Sequence, residues 1–454
     1  MLHLNLIINV MLDFFNSILS LVNYNTRLVV LSTMTLGMGS GLIGSFLLLR
    51  KRSLMGDVLS HACFPGIGIA FSFLYFLGKS EKNLFFLLVG ACISGVLGML
   101  MVLAIRNTTK LSDDAAMGTV LSLFFGVGVA ILSLVQEIPG VSVSGLDHFI
   151  YGSSASMVWV DFQLVFGASA IIIILSILLR KEWTVLCFDE NFATSLGWSV
   201  RTLDFLLISM VALITVVGLQ AVGFILMIAF LIIPAAGSRF WTEDRHFMFW
   251  ISGLLGAISG WLGSLLSSQY KDLPAGATIV LVAAGLFVFS FVFGKEKGLL
   301  KLYWKQLLLN KKMGRQHFMR AVFELQEIKG SENEKHVQNV PISWTDLKGC
   351  RSWSQKELLR LKLQAEKEGH LEDCESQMVA LSEAGFGEAY RITRNHRLWE
   401  LFLIEHADIA ATHVDRDADT VEHILSSSMV RSLEAQLNFR DLPNSPHRLN
   451  IKNY

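Results

Sequence analysis

Long apolar runs separated by short polar segments occupy the first two-thirds of the chain. Each run approaches the roughly 20 residues that a helix needs to cross the hydrocarbon core of a bilayer. The predicted spans are residues 28–49, 58–78, 84–105, 116–135, 159–179, 204–219, 222–238, 246–268 and 276–294. The pattern predicts an all-α polytopic membrane domain of about 8–10 transmembrane helices over residues 1–295. It leaves open whether residues 4–22 also cross the membrane.

Residues 296–454 have the mixed pattern of a soluble protein. A basic stretch, 296–316, is the predicted linker, and its first half suits an amphipathic helix on the inner membrane face. Apolar residues at helical period predict helices over 317–328 and 354–369, and residues 372–381 suit a short hairpin. This order favours a degenerate winged helix-turn-helix over 317–380, followed by a further soluble segment over 381–454.

Composition and charge add little about partners but constrain the compartment. Hydrophobic residues make up 52% and charged residues 17% of the chain, both averaged over two unlike parts, and the formal net charge is zero. Lys and Arg fall at alternate loops of the membrane part, which predicts a cytoplasmic location for the loop 180–204 and for the tail. Five cysteines without a CxxC pair argue against a disulfide framework and suit a reducing interior.

Asp57 and His61 are four residues apart in an otherwise apolar segment. At this spacing both side chains face one side of a helix, and ionisable groups in membrane segments are costly and often functional. A carboxylate oxygen and an imidazole nitrogen can hold a divalent cation in transit. The alternative is structural: Asp57 caps the helix, and His61 is a buried polar residue with a backbone partner.

The loop 188–201 is long enough for a short amphipathic helix that receives a cytoplasmic partner, although a solvated connector is the alternative. The sequence lacks a P-loop, GxxxxGK[ST], to cradle nucleotide phosphates. We therefore predict that the chain is not an enzyme. Active transport would need ATP hydrolysis by another subunit or an ion gradient.

Three segments in order resemble the permease family of manganese, zinc and iron ABC importers. They are Gly56-Asp57…His61-Ala…Pro65-Gly66, the Asp189–Arg201 loop and Gly223-Phe-Ile-Leu-Met-Ile-Ala-Phe-Leu-Ile-Ile-Pro234-Ala-Ala236. The resemblance implies that Asp57 and His61 line the metal path, and that an ATPase docks at Asp189, Glu190, Gly197 and Arg201. It also implies a bacterial inner-membrane complex with a second permease subunit, two ATPase subunits and an extracytoplasmic metal-binding protein.

Histidines and carboxylates recur at helical spacing near the end of the chain. They are His396, Glu400, Asp415, Asp419, Glu422 and His423. Two helices that cross with these faces inward would form a mixed nitrogen and oxygen site, which suits Fe²⁺, Mn²⁺ or Zn²⁺. On spacing alone, an acidic helix in solvent is the alternative.

The tail from about residue 317 to 447 resembles the diphtheria-toxin-repressor family of metal-dependent repressors, most closely over 381–437 through Leu381-Ser-Glu-Ala-Gly385 and the residues around His396 and His423. The resemblance implies a first metal site with His396 and Glu400, where Asp415 replaces the usual His. It implies a second site with Glu422, His423, Asp419 at a Cys-or-Glu position and His317 at a Met-or-Asp position. The resemblance also implies that residues 381–454 are a helical metal-binding and dimerisation domain, and that the tail forms a homodimer that binds operator DNA.

The charge of the predicted DNA-binding part is modestly positive, with 13 Lys or Arg against 8 Asp or Glu in residues 305–370. This excess suits phosphate contacts and equally suits a solvated pair of helices. The two resemblances together indicate a metal permease followed by a metal-dependent repressor. Such a fusion resembles the arrangement in chlamydial iron-uptake operons, which favours iron over manganese.

Fe²⁺ or Mn²⁺, with Zn²⁺ as a further candidate, would then be both substrate and corepressor. Two alternatives stay open. In the first, the tail is a cis-acting metal sensor that gates the transporter without binding DNA. In the second, the permease carries a chelated metal, and Asp57 and His61 have a structural role. Because a membrane-bound repressor searches DNA poorly, cleavage of the 296–316 linker is a further hypothesis.

Overall fold

The computed structural model describes residues 24–77, 84–136, 157–270, 273–332, 340–350, 353–372, 378–406, 427–437 and 443. The chain forms two compact units, Met1–Leu302 and Tyr303–Tyr454. The first contains the apolar helices and the second contains the soluble tail, in agreement with the change of pattern along the sequence.

The first unit is built from helices. They are α1 (Tyr24–Leu49), α2 (Met55–Phe76), α3 (Leu84–Thr108), α4 (Asp113–Gln136), α5 (Trp159–Leu178), α6 (Arg180–Phe188), α7 (Glu190–Ser195), α8 (Val200–Val222), α9 (Phe224–Ser238), α10 (Arg245–Gln269) and α11 (Ala275–Phe293). Within the described residues, eight helices are long and apolar enough to span a membrane, and residues 225–238 form a shorter apolar helix. The nine predicted spans are therefore confirmed as apolar helices, whereas residues 4–22 lie outside the described residues.

The packing of α1 depends on small residues that let helices approach closely. A Cβ atom added at Gly37 would lie 2.3 Å from the Gly256 carbonyl oxygen of α10, and one at Gly41 would lie 2.4 Å from that of Ser252. The Ser252 hydroxyl donates to the Gly41 carbonyl oxygen at 2.6 Å. A larger side chain has no room here, so α1 and α10 pack through small residues four apart, as membrane helices often do.

The second unit contains short elements after one long helix, whose first four residues belong to the first unit. In order they are α12 (Leu299–Glu332), β1 (Ile342–Ser343), α13 (Trp344–Cys350), α14 (Gln355–Lys367), β2 (Met378–Val379), α15 (Glu383–His406) and α16 (Ser427–Leu437). Strands β1 and β2 pair antiparallel with Ile342 opposite Val379, and Leu371 bridges Leu381. The predicted helices over 317–328 and 354–369 are confirmed, and the ends of the predicted hairpin pair as expected.

The core of the second unit forms where α12 meets the following elements. Phe318, Val322 and Leu325 of α12 are at most 1% exposed and belong to one apolar cluster with Ile342 and Leu358. Helix, strand, helix, helix and paired hairpin ends follow one another here, so the element order is compatible with the predicted winged helix-turn-helix. Helix α15 then presents its buried face beside this core.

Candidate functional sites

Asp57 and His61 lie on one face of α2, close to the beginning of the helix. Asp57 Oδ1 is 3.2 Å from His61 Nε2, and both side chains are partly buried. The N-cap residue of α2 is Leu54, and it makes no side-chain cap. Asp57 therefore pairs with His61 rather than serving as the N-cap, and the two residues offer one oxygen and one nitrogen donor side by side.

Aromatic rings and tight helix contacts hold His61 in place. The ring of His61 lies edge-on to Phe125 of α4, with centroids 4.9 Å apart. A Cβ atom added at Gly66, one turn beyond His61, would lie 2.0 Å from the Gly90 carbonyl oxygen of α3. Because α2 packs against both α3 and α4, the Asp57–His61 pair has a defined position on the side of α2 that faces α4.

The predicted ATPase-docking loop forms α6, the short helix α7 and the turn into α8. Asp189 Oδ1 accepts hydrogen bonds from the backbone N–H groups of Asn191 and Phe192, at 2.8 and 3.0 Å, and thereby caps α7. Gly197 has φ +81°, which lets the chain turn towards α8 without strain. Arg201 is exposed in the first turn of α8. Asp189 and Gly197 therefore shape the loop, whereas Arg201 faces outward.

Two arginines of the α1–α2 loop bind carboxylates from three other helices. Arg50 Nη2 lies 2.7 Å from Glu190 Oε1 and 3.2 Å from the Asp204 carboxylate. Arg52 Nη1 lies 3.3 Å from the same Asp204, and Arg52 Nε lies 3.6 Å from Asp113. Burial lowers the pKa of Arg52, while the charge of Asp204 raises it. The network connects α7 to the loop between α1 and α2.

The outer side of this loop is apolar as well as charged. Phe188, Phe192 and Leu196 are 51%, 54% and 48% exposed. Neighbouring Cys187 is mostly buried, and burial raises the pKa of its thiol to about 11, so it is neutral at physiological pH. Exposed apolar side chains clustered on and beside a short helix outside the membrane spans are typical of a protein-docking surface.

In the second unit, α15 places His396 and Glu400 together. His396 Nε2 is 3.2 Å from Glu400 Oε1, and both side chains are fully buried. Buried charges are paired or bind a metal, and buried polar groups such as an imidazole are hydrogen-bonded. The spacing of four residues, which predicted the shared face, is confirmed by this contact.

Two further charged residues near this pair come from α12 and were not predicted from the sequence. Arg320 Nη1 lies 2.5 Å from His396 Nδ1, and Arg320 Nε lies 3.6 Å from Glu324 Oε1. Arg320 is 4% and Glu324 5% exposed. Their sequence signal is an Arg and a Glu four residues apart on the apolar face of a helix, where unpaired charge would be costly.

The other predicted ligands of the tail fall into two groups. His317 is partly buried on α12, three residues before Arg320. Asp415, Asp419, Glu422 and His423 lie outside the described residues. Within the part of the chain that the structure describes, no group of three or more His, Cys, Asp or Glu forms a metal cluster.

The donors present fit a divalent transition metal. Imidazole nitrogen with carboxylate oxygen suits Mn²⁺, Fe²⁺ and Zn²⁺, and both His396 and Glu400 are shielded from water. A guanidinium that donates to Nδ1 leaves the proton of a neutral imidazole on Nε2. Coordination through either ring nitrogen of His396 would therefore require a change in its contact with Arg320 or in its tautomer.

Each part of the chain matches the model of a known protein family. Residues 23–294 match the ABC 3 transport family. Residues 382–453 match the iron dependent repressor, metal binding and dimerisation domain. The first match covers the described membrane helices, and the second begins one residue before α15.

Individual relatives match different shares of the chain. The manganese transport system membrane protein MntC of Bacillus subtilis is 36% identical over 399 residues, 88% of each chain. The zinc transport system membrane protein TroC of Treponema pallidum is 39% identical over 63% of this chain and 94% of its own. PsaBC from Streptococcus pneumoniae, solved in complex with Fab, has 28% identity and a TM-score of 0.54, and it covers 64% of this chain and 99% of that chain.

Proposed function

Because the chain belongs to the ABC 3 transport family, we propose that its membrane unit is the permease subunit of an importer for a divalent transition metal, with Asp57 and His61 lining the metal path. The observation that carries this proposal is their 3.2 Å contact on one face of an apolar helix. Neighbouring carboxylate and imidazole donors can replace part of the hydration shell of a cation in transit.

The transported metal is Mn²⁺ or Fe²⁺, with Zn²⁺ as a further candidate. Support comes from the donor types and from relatives whose names specify manganese and zinc transport. The test is ATP-dependent uptake of each metal into vesicles that contain the chain with its partner subunits. Absence of uptake for all three metals, in vesicles whose ATPase is active, would contradict the proposal.

ATP hydrolysis comes from a separate ATPase subunit that docks on α7 at the cytoplasmic side. A second permease subunit and an extracytoplasmic metal-binding protein complete the importer. The exposed Phe188, Phe192 and Leu196 provide the apolar part of the docking surface. The cap at Asp189 and the pair between Glu190 and Arg50 hold α7 in place.

Replacement of Phe192 by Asp is expected to weaken binding of the ATPase subunit by about 30-fold, the loss typical of a central apolar contact in an interface. The measurement is the equilibrium constant for ATPase binding to the permease in nanodiscs. Asn191→Asp adds the same charge to the same helix without removing an apolar side chain, and it should bind nearly normally. Unchanged binding of the Phe192 variant would exclude α7 as the docking site.

The cytoplasmic tail acts as a metal-dependent repressor of metal-uptake genes. Its C-terminal part matches the iron dependent repressor domain, which favours a repressor over a cis-acting gate. We assign His396 and Glu400 to one metal site, with Asp415 as the third ligand. His317, Asp419, Glu422 and His423 would form the second site. Bound metal would favour the homodimer that binds two operator half-sites, and release by cleavage within 296–316 stays a hypothesis.

The double variant His396→Ala/Glu400→Ala is expected to lose metal-dependent binding to the DNA upstream of its own gene, by about 100-fold or more. Even outer-shell partners of metal ligands contribute about 10–100-fold to affinity. The measurement is DNA binding by the full chain in nanodiscs, with Mn²⁺, Fe²⁺ or chelator. The matched control is Glu405→Ala/His406→Ala, which removes the same residue types from the exposed end of α15. Metal binding without DNA binding by the wild-type chain would instead support the gate.

A further inference from the structure

The first three turns of α12 expose an unusual amount of apolar surface. Leu300, Trp304 and Leu308 recur every fourth residue and are 41%, 62% and 63% exposed. Leu302 and Tyr303 are also more than half exposed. The first buried residue of this helix is Phe318, so the folding of the second unit does not cover this surface.

A stripe of lysines lies next to the apolar stripe. Lys301, Lys305 and Lys312 are spaced by four and seven residues and therefore share one face of the helix. Residues 299–312 contain no Asp or Glu. Lys301 Nζ is 2.9 Å from Glu296 Oε2, whereas Lys305 and Lys312 have no ion pair among the described residues. The segment is therefore both strongly apolar and positively charged.

The chain holds the beginning of α12 close to the end of the last membrane helix. Only residues 294–298 separate α11 from α12. The backbone N–H groups of Glu296 and Lys297 donate to the Phe240 carbonyl oxygen, at 2.9 and 3.2 Å, and Gly298 N–H donates to the Gly294 carbonyl oxygen at 3.0 Å. This turn therefore fixes the first residues of α12 where α11 leaves the membrane.

The length of the helix determines whether the stripe of Leu300, Trp304 and Leu308 lies in the membrane interface or in water. Leu308 is nine residues beyond Leu299, about 14 Å at 1.5 Å per residue. The polar interface of a bilayer is only about 5–8 Å deep on each side. A helix that left the membrane directly would carry Trp304 and Leu308 into water, whereas one that lies along the surface keeps the whole stripe in the interface.

We propose that residues 299–312 form a membrane-surface helix that binds anionic lipid headgroups. Trp304 and Tyr303 are residue types enriched at membrane interfaces. Lysines beside an inserted apolar stripe extend their charged ends to lipid phosphates. A second copy of the same segment is a poorer occupant, since it would bring an equally positive face against these lysines.

The test uses the full chain with its five cysteines replaced by alanine and one cysteine introduced for an environment-sensitive NBD label. The labelled position is Leu308→Cys, and the matched control is Leu363→Cys, a leucine of α14 that is 56% exposed. Each protein is placed in nanodiscs of phosphatidylcholine alone or with about a quarter phosphatidylglycerol. Blue shift, quenching by brominated acyl chains and quenching by aqueous iodide are measured.

The proposal requires the label at position 308 in anionic discs to shift to the blue and to be quenched by brominated lipid, while the label at 363 stays accessible to iodide. Lys301→Gln/Lys305→Gln/Lys312→Gln should lower the ratio of docked to undocked label by about 100-fold, or about fivefold for each lysine. Iodide access at 308 in both discs would overturn the proposal. A blue shift without quenching by brominated lipid would also overturn it, because a protein surface would then cover the stripe.

Discussion

Replacement of both Asp57 and His61 by alanine is expected to reduce ATP-dependent metal uptake by about 100-fold or more, since loss of even an outer-shell partner of a metal ligand typically reduces affinity about 10–100-fold. The two side chains supply adjacent oxygen and nitrogen donors, 3.2 Å apart, on one face of α2. Without them a dication would give up hydrating water and receive no protein ligand in return. Initial uptake rates in vesicles, at several metal concentrations, measure the effect.

The control for this variant is Ser60→Ala on the same helix. The Ser60 hydroxyl donates to the Gly56 carbonyl oxygen at 2.8 Å, so its loss removes a buried polar group without removing a candidate ligand. Uptake by this control should stay near the wild-type level. Normal uptake by the Asp57/His61 variant would favour the chelated-metal permease, in which the pair is structural. Thermal unfolding and ATPase binding of each variant separate loss of ligands from loss of fold.

Replacement of Asp204 by Asn is expected to lower the free energy of unfolding of the membrane unit by about 3 kcal/mol, the lower part of the range for breaking a buried ion pair. Asp204 is 16% exposed and faces both Arg50 and Arg52, whose side chains are 5% and 4% exposed. Its neutralisation leaves excess positive charge away from water. Thermal unfolding in detergent measures the change.

The matched control is Glu190→Gln, because Glu190 binds the same Arg50 but its side chain is 52% exposed. An exposed pair contributes only about 0–1 kcal/mol, so this variant should unfold close to the wild-type temperature. Equal destabilisation by the two variants would contradict the assignment of Asp204 as the buried centre of the network. If a stable Glu190 variant no longer stimulated ATP hydrolysis by the ATPase subunit, Glu190 would have a role in positioning α7.

Much of the membrane fold could be predicted because its signal is local. Apolar runs of about 20 residues are long enough to cross a bilayer and have few other uses, and all nine predicted spans are apolar helices in the structure. The Asp57–His61 and His396–Glu400 contacts were also predictable, because residues four apart share a face of any helix. Their roles as metal ligands stay predictions.

The loop over residues 189–201, whose role in ATPase docking stays a prediction, was predicted less completely. Its place in the chain followed from the resemblance, but the roles of individual residues depend on backbone geometry. Asp189 accepts two backbone hydrogen bonds as the cap of α7, and Gly197 provides a turn with positive φ. Spacing along the sequence does not reveal these roles, because the positions of the helix start and the turn must be known first.

By itself, the sequence determined the two-part organisation, the apolar spans and the pairs of polar residues that share a helix face. These features depend on composition and on contacts within a single helix. Only the tertiary structure decided that Arg50 binds Asp204, 154 residues away, and that Arg320 faces His396, 76 residues away. The physical reason is that a buried charge is costly unless it is paired. Its partner is a group that helix packing brings within about 3–4 Å. Periodicity along one helix carries no information about which helix packs against it.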